Sequence, residues 1–313
     1  MSINKRLSII IPFYNVESYI AQCLESVFSQ DIPQEQYEVI CVDDCSPDNS
    51  IQIVENYAKL HSNLIIVRNQ YNRKLGGARN AGLEIANGKY VWFVDSDDFI
   101  KKNVLHELLT IVENEDLDVL HFNYYDSPTK CKYDSIQDDT IVRSGSDLFF
   151  HPKFTWYNDF VTAWRKLYKK DFLLANNIKF AEHIMFEDND YALEVFAKAQ
   201  RVKHIELCAY YYRNNPESIT RVKYSDVHIK YLLDLCNRLC VLKDEFSNEQ
   251  YDNRFIPLIN GFIRNILSNV LEYYSKLNKN QKKIARKNIT DLISSLKPYL
   301  SRLKFYKIKF GLF

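Results

Sequence analysis

The first hundred residues alternate between two hydrophobic periods. Leu7 to Ile11 is a short run rich in β-branched residues, too short for a helix, and reads as a strand buried on both faces. Pro12 is expected to end it. Asn15 can cap a helix over 16–29, where Val16, Ile20, Leu24, Val27 and Phe28 recur at helical spacing. Tyr37 to Val42 is a second strand, closed by Asp43-Asp44. Asp48-Asn49-Ser50 offers caps for the stripe Ile51, Val54, Tyr57, Ala58 and His61. Leu64 to Val67 is a third strand. Gly76-Gly77-Ala78 is expected to open a helix through Ala86, ended by Asn87-Gly88. Tyr90 to Val94 is a fourth strand and runs into Asp95-Ser96-Asp97-Asp98. Strands interleaved with helices imply a parallel sheet with right-handed crossovers. Such sheets bind ligands beyond the carboxyl ends of their strands, where both acidic clusters fall.

After residue 222 the pattern becomes helical. Residues 226–246, 255–277 and 280–297 each carry a broad apolar face, and the third sets lysines opposite it. Charge follows this division. Residues 276–313 hold eleven Lys or Arg against one acid, Asp291, a net +10, so the formal total of +1 leaves −9 on residues 1–275. A basic amphipathic end with Phe305-Tyr306-Lys307-Ile308-Lys309-Phe310 suits an anionic membrane surface; a solvated helical cap is the competing reading. Nucleic acid is disfavoured because no recognition module is evident. No apolar stretch approaches the ~20 residues of a membrane span, and the apolar run before Pro12 is too short for a signal peptide. The chain is therefore read as cytoplasmic. Seven cysteines occur, none as Cys-x-x-Cys. The pairs Cys41/Cys45 and Cys236/Cys240 read as small buried hydrophobes in a reducing compartment.

The acidic clusters carry the chemistry. In an extended chain residues i and i+2 point the same way, so Asp95 and Asp97 can aim two carboxylates at one point. Such a pair repels unless a cation sits between; Mg²⁺ or Mn²⁺ suits it, with phosphate and water completing the shell. A carboxylate at Asp43 or Asp44 can accept from a ribose hydroxyl or a base imide N–H; helix capping is the bland alternative. Arg79 and Asn80, in a helix expected to start at two glycines, favour an anion. Walker and Gly-x-Gly-x-x-Gly fingerprints are missing after the first strand, which disfavours kinase-type ATP and Rossmann-type NAD binding.

Ile9-Ile10-Ile11-Pro12-Phe13-Tyr14-Asn15, Val42-Asp43-Asp44-Cys45-Ser46-Pro47-Asp48, Gly77-Ala78-Arg79-Asn80-Ala81-Gly82 and Val94-Asp95-Ser96-Asp97-Asp98 stand in one order. Together they resemble the family 2 glycosyltransferases, within them most the bacterial enzymes that build capsule, exopolysaccharide or O-antigen. The resemblance continues through Thr162 to Tyr168, Phe186-Glu187-Asp188, Tyr210 to Arg213 and Ser218-Ile219-Thr220, covering residues 5–222. It implies an α/β fold of the GT-A type: a Rossmann-like mixed, mainly parallel sheet flanked by helices. The implied division is a catalytic domain over 1–222 and a helical extension over 223–313 with a basic tail. Within the catalytic domain, residues 1–120 would bind the nucleotide and residues 121–222 the acceptor.

The resemblance also implies roles. Pro12, Tyr14, Asp43, Asp44, Arg79, Asn80, Asp95 and Ser96 would bind the nucleotide-sugar, with Asp43 on uracil. Asp95 and Asp97 would hold Mn²⁺ or Mg²⁺. Asp188, with Glu187 beside it, would be the catalytic base; the capped start of a helix is the alternative. Some relatives bring a metal-binding His from the segment matching Tyr210 to Arg213. Here tyrosine or arginine stands there, and Arg213 is expected to meet the leaving diphosphate. Trp164 would stack on a sugar face, or else belong to the core. The activity implied is inverting transfer of a hexose or N-acetylhexosamine from a UDP-sugar to a lipid-linked glycan at the inner face of the cytoplasmic membrane. A sugar nucleotidyltransferase and a non-catalytic nucleotide-sugar-binding scaffold are the other readings. The first would want a Gly-rich basic loop where Phe13-Tyr14-Asn15 stands.

Overall fold

The computed structural model describes residues 5–127, 130–132, 141–152, 160–215, 225–248 and 251–295. The chain forms two compact units, Met1–His183 with Tyr191–Asn215, and Ile184–Asp190 with Pro216–Phe313. Among the described residues the first unit holds one nine-stranded mixed sheet. Its strands are β1 (Leu7–Phe13), β2 (Tyr37–Asp43), β3 (Leu64–Arg68), β4 (Tyr90–Phe93), β5 (Phe99–Ile100), β6 (Val119–Ser127), β7 (Lys130–Lys132), β8 (Lys166–Lys169) and β9 (Val202–Tyr211). The order is β3-β2-β1-β4-β8-β6-β9-β5, with β7 paired to β6. The sheet is parallel from β3 to β4. It turns antiparallel across β8, and β6 and β9 run parallel again. Helices Ile20–Phe28, Ser50–Leu60, Lys74–Ile85 and Leu105–Asn114 supply the connections in the first half.

The four strands read from the sequence are present, with instructive shifts. Pro12 does not end β1, which runs to Phe13. In a parallel strand alternate residues face alternate neighbours. The Phe13 carbonyl accepts from Asp44 on the β2 side, and Ile10 accepts from Val94 on the β4 side. Pro12 therefore faces β4, whose ladder with β1 stops at Ile10–Phe93, and no donor is needed there. The first helix starts at Ile20, not residue 16; residues 17–19 form a turn in which the Val16 carbonyl accepts from Tyr19 and Ile20, after Asn15 in the left-handed region at φ 56°. The third starts at Lys74, so Gly76 and Gly77 lie inside its first turns rather than opening it.

Every residue of β1, β2 and β4 is buried. Ile9, Ile11, Val39, Cys41, Trp92 and Val94 continue into a core with Ile20, Leu24 and Val27 of the first helix and Leu105, Leu108 and Val112 of the fourth. Cys23, Cys41, Cys236 and Cys240 are buried, as small apolar residues are, but Cys45 is exposed. Cys131 on β7 and Cys208 on β9 are joined by a disulfide, with Cα atoms 6.2 Å apart. Neither cysteine belongs to the two pairs singled out in the sequence.

In the second unit the expected helices lie at Asp226–Asn248, Phe255–Lys276 and Lys279–Ser295, the first packing on both others. Ile229, Leu233, Cys236, Ile259, Ile263 and Val270 fill their interior, with Ala285 and Ile289 from the third helix also buried. Lys283, Arg286 and Lys287 are exposed on it. Ser218-Ile219-Thr220 and the tail 298–313 lie outside the described residues. No described helix is long and apolar enough to cross a membrane.

Candidate active site

Strand order places the two acidic clusters on either side of the end of β1. β2 and β4 flank β1, so their ends are two strand spacings apart, about 10 Å. Loop side chains lace this edge together. Ser46 Oγ accepts from the Asn15 N–H at 2.8 Å, Ser50 Oγ from Val16 at 3.1 Å, and Asp48 from Glu17 at 2.8 Å. Pro12 is buried in β1 and Tyr14 is half-exposed beyond it. Asp43 is buried and accepts the Ser46 N–H on Oδ1 at 2.8 Å. Asp44 faces the following loop: its Oδ1 accepts from Asn69 Nδ2 and from the Arg73 N–H, both at 2.8 Å.

The second cluster is a tight turn after β4. The Asp98 N–H closes it onto the Asp95 carbonyl at 3.1 Å. Arg79, wholly buried on the helix Lys74–Ile85, donates from Nη2 to Asp95 Oδ1 at 2.8 Å, its guanidinium 5.0 Å from the Phe180 ring centroid. Asn215 Nδ2 donates to Asp97 Oδ2 at 3.1 Å. Ser96 and Asp98 are buried. Burial, then the neighbouring Asp97 and Asp95 carboxylates, push the Asp98 carboxyl well above the usual range, against the pull of hydrogen bonds from Arg213 and Tyr210. The Tyr210 hydroxyl is likewise pushed up by burial and by Asp98.

Among the described residues no three His, Cys, Asp or Glu side chains gather as a metal cage. The turn after β4 instead offers two carboxylates at a strand mouth. That donor set fits a hard divalent ion taking one or two protein carboxylates and its remaining oxygens from phosphate and water.

Several expected site residues have structural tasks. Asn80 donates to the Phe180 carbonyl at 2.8 Å and to Glu182 at 3.1 Å, and accepts the Phe180 N–H at 3.0 Å. Glu182 also receives Arg73 through Nε at 3.1 Å and Nη2 at 2.6 Å. The Arg73 hydrogen bonds, then that of Asn80, hold the Glu182 carboxyl below its ordinary value despite partial burial. Arg213 donates from Nε to the Asp97 carbonyl at 2.7 Å and from Nη2 to Gln22 at 2.6 Å, and lies over the Tyr19 and Phe99 rings. It thus holds the acidic turn. Trp164 is a core residue, the second of the two readings given for it. It is 5% exposed, its ring stacks on Tyr210 at 4.4 Å and on Tyr212 at 5.6 Å, and its carbonyl accepts from Trp92.

Glu187 and Asp188 belong to the second unit, Asp188 heading the helix Asp188–Lys198. Glu187 is buried. Phe186 just before them adopts φ 65°, a left-handed conformation rare for a bulky side chain and found at constrained sites. Arg238 pairs bidentately with Asp190, at 2.7 and 2.8 Å. Sequence reasoning missed Tyr210, Asn215, Arg73 and Glu182 as organisers. Their side-chain partners at this edge lie 29 to 196 residues away, beyond any local signal.

The sequence profile described as Glycosyl transferase family 2 matches residues 8–175. An uncharacterized glycosyltransferase of Bacillus subtilis (strain 168), EpsJ, is 32% identical over 235 residues, 72% of this chain and 66% of its own. The poly(ribitol-phosphate) β-N-acetylglucosaminyltransferase TarS of Staphylococcus aureus (strain MW2) is 32% identical over 68% of this chain and 36% of its own. The match thus spans under two thirds of EpsJ and about a third of TarS. A crystal structure of S. aureus TarS residues 1–349 with UDP-GlcNAc superimposes with a TM-score of 0.68 at 24% identity, over 97% of this chain and 88% of that one. A mannosyltransferase from Pyrobaculum calidifontis, in complex with GDP-Man and Mn²⁺, gives 0.54 at 16% identity over 98% of this chain and 86% of that one. These likenesses show the GT-A fold. With the profile covering more than half of its length, and with the four motifs of its sheet edge in place, the chain belongs to glycosyl transferase family 2.

Proposed function

We propose that the protein transfers a hexose or N-acetylhexosamine from a UDP-sugar to a hydroxyl of a lipid-linked glycan acceptor, with inversion. The observation that carries this reading is the acidic turn Asp95–Asp98 at the carboxyl end of β4, across β1 from Asp43. The UDP-GlcNAc bound by TarS and the GDP-Man and Mn²⁺ bound by the mannosyltransferase support the donor class and the ion. Asp95 and Asp97 would hold Mn²⁺ or Mg²⁺. A divalent ion at that point supplies positive charge to offset what develops on the departing diphosphate. Asp43 would accept from the uracil imide, and the half-exposed Tyr14 would border the ring.

The acceptor hydroxyl is a poor nucleophile and needs a base. Asp188 is assigned that role, with Glu187 beside it. Asp190, the next acid in the same helical turn, is paired with Arg238. UDP release measured over a panel of UDP-sugars, with and without Mn²⁺, tests the reading. Asp188→Asn should bind UDP yet lose transfer by roughly 100-fold or more, of the order that acid–base catalysis contributes. A retained rate would remove Asp188 as base, and no release with any donor or acceptor would leave a nucleotide-sugar-binding protein. The exposed basic face of Lys279–Ser295 supports peripheral attachment to anionic lipid. Removing residues 298–313 should reduce sedimentation with phosphatidylglycerol vesicles, and unchanged sedimentation counts against the tail as anchor.

A further inference from the structure

Asp98 stands out within the acidic turn. It is 1% exposed, and a carboxylate placed there beside Asp95 and Asp97 is costly unless its hydrogen bonds do something a neutral side chain would not. Its partners are specific. Oδ2 accepts from the Tyr210 hydroxyl at 2.8 Å, and Oδ1 accepts from the Arg213 N–H at 2.7 Å. The Tyr210 oxygen also accepts the Asp95 N–H at 3.1 Å. Arg213 also donates to the Asp97 carbonyl at 2.7 Å. The chain of bonds therefore runs from the Asp95 backbone through Tyr210, Asp98 and Arg213 to the Asp97 backbone. It grips the backbone on both sides of Ser96. Tyr210 is itself rigid, fully buried at the end of β9 and stacked on Trp164 at 4.4 Å.

We propose that Asp98, Tyr210 and Arg213 are positioning residues that fix the Asp95 and Asp97 carboxylates at the spacing a divalent ion requires, without touching ion or donor themselves. This rests on the function proposed above. Groups that orient ligands from behind are worth about 10–100-fold in metal affinity. A turn held from one side only would let the two carboxylates drift apart under their own repulsion.

The test measures the Mn²⁺ concentration for half-maximal UDP binding, by titration calorimetry at fixed UDP, in the full-length protein. Tyr210→Phe keeps the ring and its stacking and removes only the hydroxyl; Asp98→Asn keeps the shape and removes the second acceptor oxygen. Each should raise the half-saturating Mn²⁺ at least tenfold, and saturating Mn²⁺ should restore UDP binding. Tyr168→Phe, which loses a buried hydroxyl bond to the Ala163 carbonyl at 3.1 Å, controls for a merely structural effect. It should lower thermal stability and leave the Mn²⁺ dependence unmoved. Arg213→Gln, at the partly exposed end of the chain of bonds, carries the same expectation if either buried variant fails to fold. If the wild type needs Mn²⁺ and the folded variants show its half-saturation value, the positioning role is refuted and the proposed function stands. If wild-type UDP binding is itself indifferent to Mn²⁺, the proposed function falls first.

Discussion

Arg79 and Asp95 form the ion pair nearest the proposed chemistry, and its two halves differ in access to water. The Arg79 side chain is 1% exposed and that of Asp95 21%. Replacing Arg79 by Met keeps aliphatic bulk beside Phe180 and leaves a carboxylate that water can reach, so the loss should be about 2 kcal/mol, below the range for a fully stranded charge. Replacing Asp95 by Ala takes one carboxylate from a guanidinium that is shut away from water. That loss should lie in the range of about 3–5 kcal/mol for breaking a buried pair from one side. The double variant should be more stable than Asp95→Ala alone, which requires a coupling energy larger than the Arg79→Met loss, about 3 kcal/mol. Urea denaturation followed by tryptophan fluorescence reads this directly, since Trp92 and Trp164 both lie in the core of the same unit. The reasoning is refuted if Arg79→Met costs as much as Asp95→Ala, or if the two losses simply add.

Two further outcomes follow from packing and charge nearby. Gly82 lies where a Cβ would overlap Cγ2 of Ile10 and press on Val42; Gly82→Ala should gain about 1 kcal/mol of helix propensity and lose about 1–3 kcal/mol to overpacking, so the urea midpoint should fall, and a rise would show the contact to be wrong. Glu182→Gln weakens the tie to Arg73. Because the folded Glu182 carboxyl is held below its unfolded value, its contribution of about 1 kcal/mol for a partly exposed pair is present above that unfolded value, near pH 4.3, and lost as pH falls through the folded one. The stability gap between wild type and variant should therefore close between about pH 5 and pH 3; a gap that widens on acidification contradicts the assignment.

The parallel half of the sheet was legible because β1, β2 and β4 are buried on both faces and read as mainly apolar runs. The second half was not. β6 carries His121 and Asn123, both wholly buried, which break any apolar pattern. The register of β6 and β9 explains how they are tolerated: His121 lies opposite His204, and their Nδ1 atoms sit 2.8 Å apart. A polar residue whose partner is 83 positions away leaves no local trace. The same holds for the Cys131–Cys208 bond, 77 residues apart. At the candidate site the acidic ends of β2 and β4 were visible, since a carboxylate directly after a buried strand is conspicuous. What holds them was not. Arg213 and Trp164 have the residue types that bind phosphates and sugars, but the fold turns one onto the acidic turn and the other into the core. Composition fixes what a side chain is able to do, and only packing decides which surface it faces.

The most direct measurement is the affinity for UDP with Mn²⁺ present and with EDTA, in the wild type and in Asp97→Ala. Titration calorimetry should show wild-type affinity falling at least tenfold in EDTA, with Asp97→Ala weak in both conditions. Equal UDP affinity in all four titrations would contradict a divalent ion held by the turn after β4.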